Sequence, residues 1–456
     1  MKINAGIFKA YDIRGIYPDQ LDEKTAQAIG FCFSKIVKSK KIIIGRDMRI
    51  SSYSMLKALI KGVNQAGCEA VDIGLVATDV AYFASGKLNS AAIMITASHN
   101  PKEWNGFKLT KAGAVPFGGN EIQRLMRAVE KYEAGKQDIK SNPPAGLPTG
   151  QAGGKKINIL PDYNKNVLKF IDKNKMKKLK IAVDAGNGMG GKILSGIYAD
   201  LPCEIVPLYF ELDGSFPNHQ PSPIESKNLA DLRKKVKQTK ADFGMAFDGD
   251  ADRVFFVDEK SRAVSGSVIV AVLAEYFLLK NPGEKIIYDL RCGKFIPELV
   301  KARGGKPLIS RVGHSFIKNL MKKTGAIFGG ELSGHYYFRD NFRADSAMIT
   351  AAIITQIVSE SGKSFSEIMK NYSKYFQIEE TNSQVKNKKT KIKEIEKKYS
   401  DGKILKIDGL TVEYPDWRFN VRKSNTEPLL RLNLEAETKK LMREKTKELL
   451  GLIRKN

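Results

Sequence analysis

The chain has 456 residues, of which 42% are hydrophobic and 28% charged, a composition typical of a folded globular protein. At roughly 100–200 residues per domain, this length predicts about three or four domains. The best apolar run, Val268 to Leu279, is shorter than the roughly 18 residues of a membrane span. The start of the chain, Met1 to Gly15, has no apolar segment typical of a secretory signal, so we expect a cytoplasmic protein without a membrane partner.

The formal net charge of +26 allows two interpretations. It could attract nucleic acid or acidic lipids, or it could steer small anionic substrates. The densest basic run, Lys386 to Lys398, contains two glutamates and no aromatic side chains, which is typical of a solvated helix or loop. We therefore expect no nucleic-acid partner. The four cysteines are far apart and form no CxxC pair, which argues against a disulfide framework or a zinc cluster.

The first 150 residues alternate strand and helix signals. Apolar runs that predict buried strands are Lys41–Gly45, Ala70–Leu75 and Ala91–Ile95. Ser51 and Ser52 precede a periodic apolar stretch as candidate helix caps. Strands separated by helices predict βαβ units and a largely parallel sheet. The stretch Ser141–Gly154, rich in glycine and proline, is interpreted as a linker.

The same alternation recurs in two further segments. The second starts with the strand-like run Lys180–Asp184 and ends with Val254–Asp258, and the third includes Lys285–Leu290. From about Phe376 the chain becomes lysine-rich, with short strand-like pieces and a helical pattern from Thr438, which predicts a smaller α+β domain. We place the four domains at residues 1–150, 155–262, 263–372 and 373–456.

The first chemical motif is the segment TASHNP, Thr96 to Pro101, directly after a predicted buried strand. Ligands of open parallel sheets gather beyond the carboxyl ends of strands, so Ser98 lies where chemistry is expected. Serine, asparagine and proline also form plain turns, and this alternative stays open. His99 is a doubtful base for Ser98, because adjacent side chains on an extended chain point apart.

The second motif spaces three carboxylates by two residues, at Asp248, Asp250 and Asp252. Such groups converge where the backbone loops around a hard cation, and without the ion they repel one another. Ligands that are all oxygen suit Mg²⁺ or Ca²⁺. Glu259 falls at the position of the last ligand of an EF-hand loop. An EF-hand is nevertheless disfavoured, because Arg253 stands where that loop needs glycine and the flanking segments predict strands, not helices. A solvated acidic turn is the simpler alternative.

Three further segments contain glycines or cations in loop-like contexts. Gly329 to His335 (GGELSGH) offers side chains suited to sugar hydroxyls, and Arg422 to Pro428 (RKSNTEP) could hold a phosphate dianion. Plain loops are the alternative for both. Gly186 to Gly191 fits the dinucleotide-binding pattern G-x-G-x-x-G. Such a site needs an acidic residue at the end of the next strand, whereas Glu204 lies at the start of one. We therefore expect these glycines to allow close strand–helix packing and not to bind a dinucleotide.

Together and in this order, the motifs resemble the α-D-phosphohexomutase family, specifically the phosphomannomutase/phosphoglucomutase group. The sequence carries TASHNP, DGDADR, GELSGH and RKSNTEP. The segments Tyr11–Gly15 and Asn105–Lys108 match the family as well. The resemblance covers essentially the whole chain. It implies three similar α/β domains with mixed, largely parallel sheets plus a smaller α+β C-terminal domain around a central cleft.

The resemblance also implies a set of roles. Ser98 would carry the phosphoryl group and would complete a Mg²⁺ shell, one ion per chain, with Asp248, Asp250 and Asp252. Besides Ser98, the implied catalytic residues are Lys108, Arg253 and His314. Substrate-binding residues would be Arg14, Arg291, Glu331, Ser333, His335, Arg422, Ser424, Asn425 and Thr426. The implied substrate is a phosphorylated hexose, mannose and/or glucose, converted between its 1- and 6-phosphates through a hexose 1,6-bisphosphate by a monomer or small homo-oligomer.

Two positions depart from the family pattern. Ala251 replaces a glycine common in the metal loop, and we expect little effect because alanine is small. Arg291 stands where many relatives carry lysine, and arginine is not its geometric equivalent. Phosphoglucosamine mutase is the alternative within the family, although it usually carries SGTEP where this chain has Ser424 to Pro428. A metal-dependent phosphatase is the alternative from another enzyme class.

Overall fold

A computed structural model describes residues 4–135, 154–423 and 429–455. The chain divides into two compact units, Met1–Val264 with Ser333–Phe365, and Ser265–Leu332 with Ser366–Asn456. Most of the predicted linker, and the predicted site residues Ser424, Asn425 and Thr426, lie outside the described residues. Within the described ranges, no helix is both long and apolar enough to cross a membrane.

The first unit contains a seven-stranded mixed sheet. In spatial order its strands are Ile13–Ile16, Trp104–Lys111, Ala91–Ile95, Lys41–Arg46, Glu69–Leu75 and Lys155–Lys156, with Val115–Pro116 paired to the second. The central strand Ala91–Ile95 is buried along its whole length, which explains its uninterrupted apolar sequence. It runs parallel to Lys41–Arg46 and antiparallel to Trp104–Lys111. The three strands predicted from apolar runs are therefore confirmed, within one residue at their ends.

The second sheet of this unit has five strands. Their order is Ala263–Val264, Val254–Asp258, Phe243–Phe247, Leu179–Asp184 and Cys203–Leu208. The last three run parallel, and the pairs at the other edge run antiparallel. A side chain at Gly190 would lie 2.8 Å from the Phe247 Cβ, so the glycines after Leu179–Asp184 allow the close strand–helix packing predicted for them. The short strand Tyr336–Phe338 also lies in the residues of this unit.

Helices cover both sheets of the first unit. They are Glu23–Val37, Ser52–Gln65, Thr78–Lys87, Asn120–Glu133, Leu160–Leu168, Gly190–Tyr198, Ala230–Thr239 and Ala347–Ser361. Ser51 occupies the N-cap position of Ser52–Gln65, as predicted, although its side chain makes no capping hydrogen bond. The first two helices pack closely, since a Cβ on Gly62 would lie 2.0 Å from the Gln27 carbonyl oxygen. Replacing Gly62 would force these helices apart.

The second unit combines an α/β part and a C-terminal α+β part. In the first, Lys285–Asp289 pairs in parallel with Lys306–Ser310 and Phe328–Gly330. Its helices are Gly266–Lys280, Phe295–Ala302 and His314–Thr324. The C-terminal sheet is antiparallel, with strands Phe376–Gln377, Thr381–Gln384, Lys403–Leu405, Leu410–Glu413, Trp417–Lys423 and Leu429–Ala436. Helices Lys388–Lys398 and Lys439–Arg454 accompany it, and Phe365–Lys370 joins the two units.

Candidate active site

Loops from three parallel strands of the first sheet meet at one edge. In the register of these strands, Arg46 is paired with both Leu75 and Ile95. The segments that follow therefore lie side by side. They carry Arg49, Ser98 and Thr78, which begins the helix Thr78–Lys87. Side chains after the carboxyl ends of parallel strands are placed to form a site.

Ser98 is buried, with 2% of its surface exposed, and its hydroxyl faces the acidic loop. Its Oγ donates a hydrogen bond to the Asp248 Oδ2 at 2.8 Å, and the Arg253 Nη2 donates to the same Oγ at 3.2 Å. The Ser98 backbone has a φ of 52°, in the left-handed region that non-glycine residues rarely adopt. The hydroxyl is thus held between a carboxylate and a guanidinium by a strained loop.

Arg49 organises this loop from within. Its Nη2 donates to the carbonyl oxygens of Ser98 and Asn100, at 2.8 and 2.7 Å. Its Nη1 donates to those of Pro101 and Trp104, at 2.8 and 2.9 Å. The Arg49 side chain is completely buried, and its charge is balanced by Asp47, with 3.3 Å between Nε and Oδ2. A buried charged side chain thus donates to four loop carbonyls, of which the Pro101 carbonyl also accepts from the Trp104 N–H.

The three aspartates of the acidic loop converge as predicted. Asp248, Asp250 and Asp252 are buried, and one carboxylate oxygen from each lies within 4.8 Å of the others. The Lys108 Nζ contacts the Asp250 Oδ2 at 2.7 Å and the Asp252 Oδ2 at 2.5 Å. The Oδ1 atoms of Asp250 and Asp252 are buried and accept no hydrogen bond from the residues that the structure describes.

This donor set fits a hard divalent cation. All the facing atoms are carboxylate oxygens, the ligand type that such ions prefer. Three formal negative charges meet two positive ones, from Lys108 and Arg253, so a negative charge remains. Buried oxygens without hydrogen bonds are costly unless a ligand satisfies them. The loop turns at Ala251 with a φ of 54°, a conformation that costs an L-residue roughly 1–2 kcal/mol and that glycine adopts freely.

Burial and neighbouring charges shift the pKa values of these groups in opposite directions. Burial raises the pKa of Asp248 above its ordinary value, although Arg253 opposes the effect. Burial also disfavours the charged form of Asp250, but Lys108 outweighs it and holds the pKa of Asp250 well below its ordinary value. Burial lowers the pKa of Lys108, but the negative charges of Asp250 and Asp252 outweigh this effect and raise it. Lys108 therefore stays protonated and keeps its positive charge beside the acidic loop.

His99 lies closer to Ser98 than the sequence suggested. Its Nδ1 is 3.3 Å from the Ser98 Oγ and also contacts the Arg253 Nη2. The expectation that adjacent side chains diverge assumed an extended chain, whereas Ser98 is left-handed. The charge of Arg253, together with burial, holds the pKa of His99 well below its ordinary value. A neutral His99 acts here as a hydrogen-bond acceptor.

Two other predicted residues of the first unit lie near these groups. The Arg14 Nη1 donates to the Ala97 carbonyl at 3.2 Å and also to the Asn100 side chain. The His335 Nδ1 lies 3.0 Å from the Asp345 Oδ2 and 3.8 Å from the Asp252 Oδ1. Arg14 thus contacts the loop of Ser98, and His335 faces the acidic loop. Ser333 belongs to the same unit.

The remaining predicted residues belong to the second unit. The Arg291 Nη2 lies 2.7 Å from the Asp289 Oδ2 and 3.5 Å from the Glu331 Oε2, so two predicted substrate-binding residues are neighbours. His314 begins the helix His314–Thr324.

Arg422 is also in this unit and is buried. Its Nη2 donates to the Glu380 Oε2 at 2.8 Å, and the same carboxylate accepts from Arg431 and Asn433. Glu380 therefore fixes the direction of the Arg422 guanidinium.

Comparison with known proteins agrees with this geometry. Four phosphoglucomutase/phosphomannomutase descriptions match the chain, α/β/α domain I at residues 5–136, domain II at 161–262, domain III at 265–375 and the C-terminal domain at 380–451. The chain belongs to the phosphoglucomutase/phosphomannomutase family. It is 39% identical to a phosphomannomutase of Vibrio cholerae over 465 residues and 38% identical to one of Methanocaldococcus jannaschii over 450, covering 98% of each chain in both cases.

A solved structure agrees as well. The phosphoglucomutase/phosphomannomutase family protein of Burkholderia thailandensis superposes with a TM-score of 0.87 at 32% identity, over 98% of both chains. These similarities confirm the predicted family and the four-domain architecture with mixed sheets. The chain is a phosphohexomutase, and its substrates are phosphosugars.

Sequence reasoning missed three residues of this phosphohexomutase site. Arg49 and Thr78 were not singled out. Arg49 follows the strand Lys41–Arg46, which pairs with Ala91–Ile95, and Thr78 follows Glu69–Leu75, which pairs with Lys41–Arg46. A systematic reading of every loop after a parallel strand would have found both. Asp345, the partner of His335, lies ten residues further along the chain and shows no local pattern.

Proposed function

We propose that Ser98 is the phosphoryl carrier of this phosphohexomutase and that the enzyme interconverts hexose 1- and 6-phosphates through a hexose 1,6-bisphosphate. The observation that carries this proposal is the buried Ser98 hydroxyl, which lies between the Asp248 carboxylate and the Arg253 guanidinium. A phosphoryl group on Ser98 would have Arg253 beside its oxygens. Charge stabilisation of this kind is the main catalytic requirement of phosphoryl transfer.

The transfer is a displacement at phosphorus. The oxygen of the sugar's free hydroxyl bonds to the phosphorus, and the bond to the Ser98 Oγ breaks. The proton of the sugar hydroxyl leaves to a general base, and the Ser98 Oγ gains a proton from a general acid. Lys108 is the proposed acid, since its Nζ lies within the group of Asp250 and Asp252, and His314 is the proposed base. The reverse steps on the other phosphate of the bisphosphate regenerate phosphoserine.

Asp248, Asp250 and Asp252, with an oxygen of the Ser98 phosphoryl group, are the proposed ligands of one Mg²⁺ per chain. When bound, the ion would neutralise charge on the transferring phosphoryl oxygens. The two buried Oδ1 atoms without hydrogen bonds support this assignment. Lys108 holds the other oxygens of Asp250 and Asp252, which leaves the Oδ1 atoms available.

The substrate is proposed to be held at both ends. Glu331 and Ser333 would accept and donate hydrogen bonds to sugar hydroxyls, with Arg291 orienting Glu331. Arg14 and His335 would lie near the reacting phosphoryl group. The residues proposed for the phosphate that is not reacting are Arg422, Ser424, Asn425 and Thr426. We retain domain boundaries of 1–150, 155–262, 263–372 and 373–456 as part of this proposal.

The decisive test is Ser98→Ala, assayed with glucose 1-phosphate, Mg²⁺ and a trace of glucose 1,6-bisphosphate. Loss of the carrier hydroxyl should reduce turnover by roughly a thousandfold or more. The intact mass of purified wild type should show a fraction with one extra phosphate, and the variant should show none. The control is Ser90→Ala. Ser90 lies directly before the strand Ala91–Ile95 and Ser98 lies after it, and the control variant should keep both the activity and the phosphorylated fraction. A Ser98→Ala variant that retains most of its activity would refute the assignment.

The preferred sugar is proposed to be mannose, glucose or both. Relatives named phosphomannomutase support mannose. Parallel assays with mannose 1-phosphate, glucose 1-phosphate and glucosamine 1-phosphate test this directly. The highest kcat/KM with the glucosamine compound would favour the phosphoglucosamine mutase alternative instead.

A further inference from the structure

Thr78 contacts the acidic loop from the first sheet. It is the first residue of helix Thr78–Lys87, and it is completely buried. Its Oγ1 donates a hydrogen bond to the Asp250 Oδ2 at 2.5 Å. Its backbone N–H donates to the Asp250 carbonyl oxygen at 2.9 Å. One residue therefore holds both the main chain and the side chain of the central aspartate.

These contacts determine how the Asp250 carboxylate is oriented. Its Oδ2 accepts from Thr78 and from Lys108, the latter at 2.7 Å. Its Oδ1 is buried and accepts no hydrogen bond within the described part of the chain. A carboxylate with one oxygen held by two donors presents the other in a fixed direction. The free oxygen is the one available to a cation.

Thr78 is itself held in place through its neighbour. The Asp79 Oδ2 accepts hydrogen bonds from the Tyr163 hydroxyl at 2.5 Å and from the Ser346 Oγ at 2.8 Å. Tyr163 belongs to helix Leu160–Leu168, and Ser346 caps helix Ala347–Ser361. Two other helices thus fix the start of Thr78–Lys87. The Thr78 hydroxyl is consequently placed by packing as well as by its own hydrogen bond.

We propose that Thr78 is a positioning residue for the divalent cation and sets which oxygen of Asp250 faces the ion. This inference rests on the proposed cation site. Residues that hydrogen-bond to metal ligands orient them and tune their basicity, and removing one such partner typically lowers metal affinity by about 10–100-fold. A threonine donor fits this role because its hydroxyl donates without adding a charge.

Thr78→Val is the test, because valine keeps the shape and the backbone N–H but removes the donor. Isothermal titration of the purified full-length chain with Mg²⁺, and with Mn²⁺ as a second probe, should show about 10–100-fold weaker binding than in wild type. The Mg²⁺ concentration for half-maximal mutase activity should rise by a similar factor. At saturating Mg²⁺ the KM for glucose 1-phosphate should stay unchanged. Thr78→Ser should restore binding to within a few-fold of wild type.

Thr355→Val is the matched control. Thr355 is also completely buried, and its hydroxyl contacts the Tyr198 hydroxyl at 2.8 Å and the Ala351 carbonyl at 2.7 Å. The same chemical change there should leave Mg²⁺ affinity unaltered. Thermal melts report whether each variant folds, and Thr78→Ala replaces Thr78→Val if the valine variant does not.

The outcomes separate this inference from the proposed function. If Asp250→Ala abolishes Mg²⁺ binding while Thr78→Val binds as wild type does, the positioning role is wrong and the cation site stands. If Asp250→Ala binds Mg²⁺ normally, the cation site itself is wrong. Equal losses of affinity in Thr78→Val and Thr355→Val would overturn the inference, because the effect would then reflect a general loss of packing.

Discussion

Replacing Arg49 by lysine should loosen the loop of Ser98 while keeping the buried charge. The two terminal nitrogens of Arg49 each serve two carbonyl oxygens, from Ser98 and Asn100 and from Pro101 and Trp104. A lysine ammonium is a single point and cannot occupy both nitrogen positions. At least two of the four carbonyls should therefore lose their Arg49 partner, and the Pro101 carbonyl would keep the hydrogen bond from the Trp104 N–H.

The expected magnitude follows from this count. Leaving a buried acceptor without a partner costs about 1–3 kcal/mol. The Ser98 hydrogen bond is buried and the other three are partly buried, so two lost partners give about 1–3 kcal/mol in total. A typical protein has a total stability of about 5–15 kcal/mol. Because Asp47 retains a cationic partner, the cost should fall mainly on the loop. Since about 1.4 kcal/mol is a factor of ten, local opening should increase by roughly fivefold or more.

Hydrogen exchange measured by mass spectrometry on peptides that cover residues 96–104 tests this prediction. Arg49→Lys should exchange faster there, and the phosphorylated fraction of the purified protein should fall. Arg46→Lys is the control. Arg46 is the last residue of the strand that precedes Arg49, and its guanidinium carbon lies 5.2 Å from the centre of the Tyr53 ring instead of binding the loop. Unchanged exchange in residues 96–104 of Arg49→Lys would refute the reasoning.

Two further changes test other parts of the molecule. Burial raises the pKa of Asp79 to about 7, against roughly 3.9 in an unfolded chain, despite the hydrogen bonds from Tyr163 and Ser346. At pH values between these two pKa values, Asp79 is protonated in the native protein but ionised in the unfolded chain. The free energy of unfolding therefore falls as the pH rises through this range. The melting temperature of Asp79→Asn relative to wild type should therefore rise from pH 5 to pH 8; a constant difference would contradict this. Glu380→Gln should lower the melting temperature and weaken sugar-phosphate binding, since it leaves the buried Arg422 without a carboxylate, a loss that costs about 3–5 kcal/mol in other proteins. A wild-type KM for glucose 1-phosphate would argue against a positioning role of Glu380.

The sequence alone was enough to predict several buried strands and to single out the two central motifs. Ala91–Ile95 and Phe243–Phe247 are buried on both faces, so each is a continuous apolar run that is visible locally. The serine and the aspartate trio follow these strands directly. Polar residues at such positions are local signals, and their spacing already indicated a nucleophile and a hard-cation site. Only their mutual distance needed the structure.

The tertiary structure decided everything that depends on contacts between distant segments. Thr78 reaches Asp250 across 172 positions of the chain, and Arg49 binds carbonyls about fifty residues away. No periodicity or spacing encodes such pairs, because they arise only when the fold brings loops of distant strands together. His99 shows the same limit at short range. Its direction depends on the left-handed backbone of Ser98, which the surrounding contacts impose against the local preference.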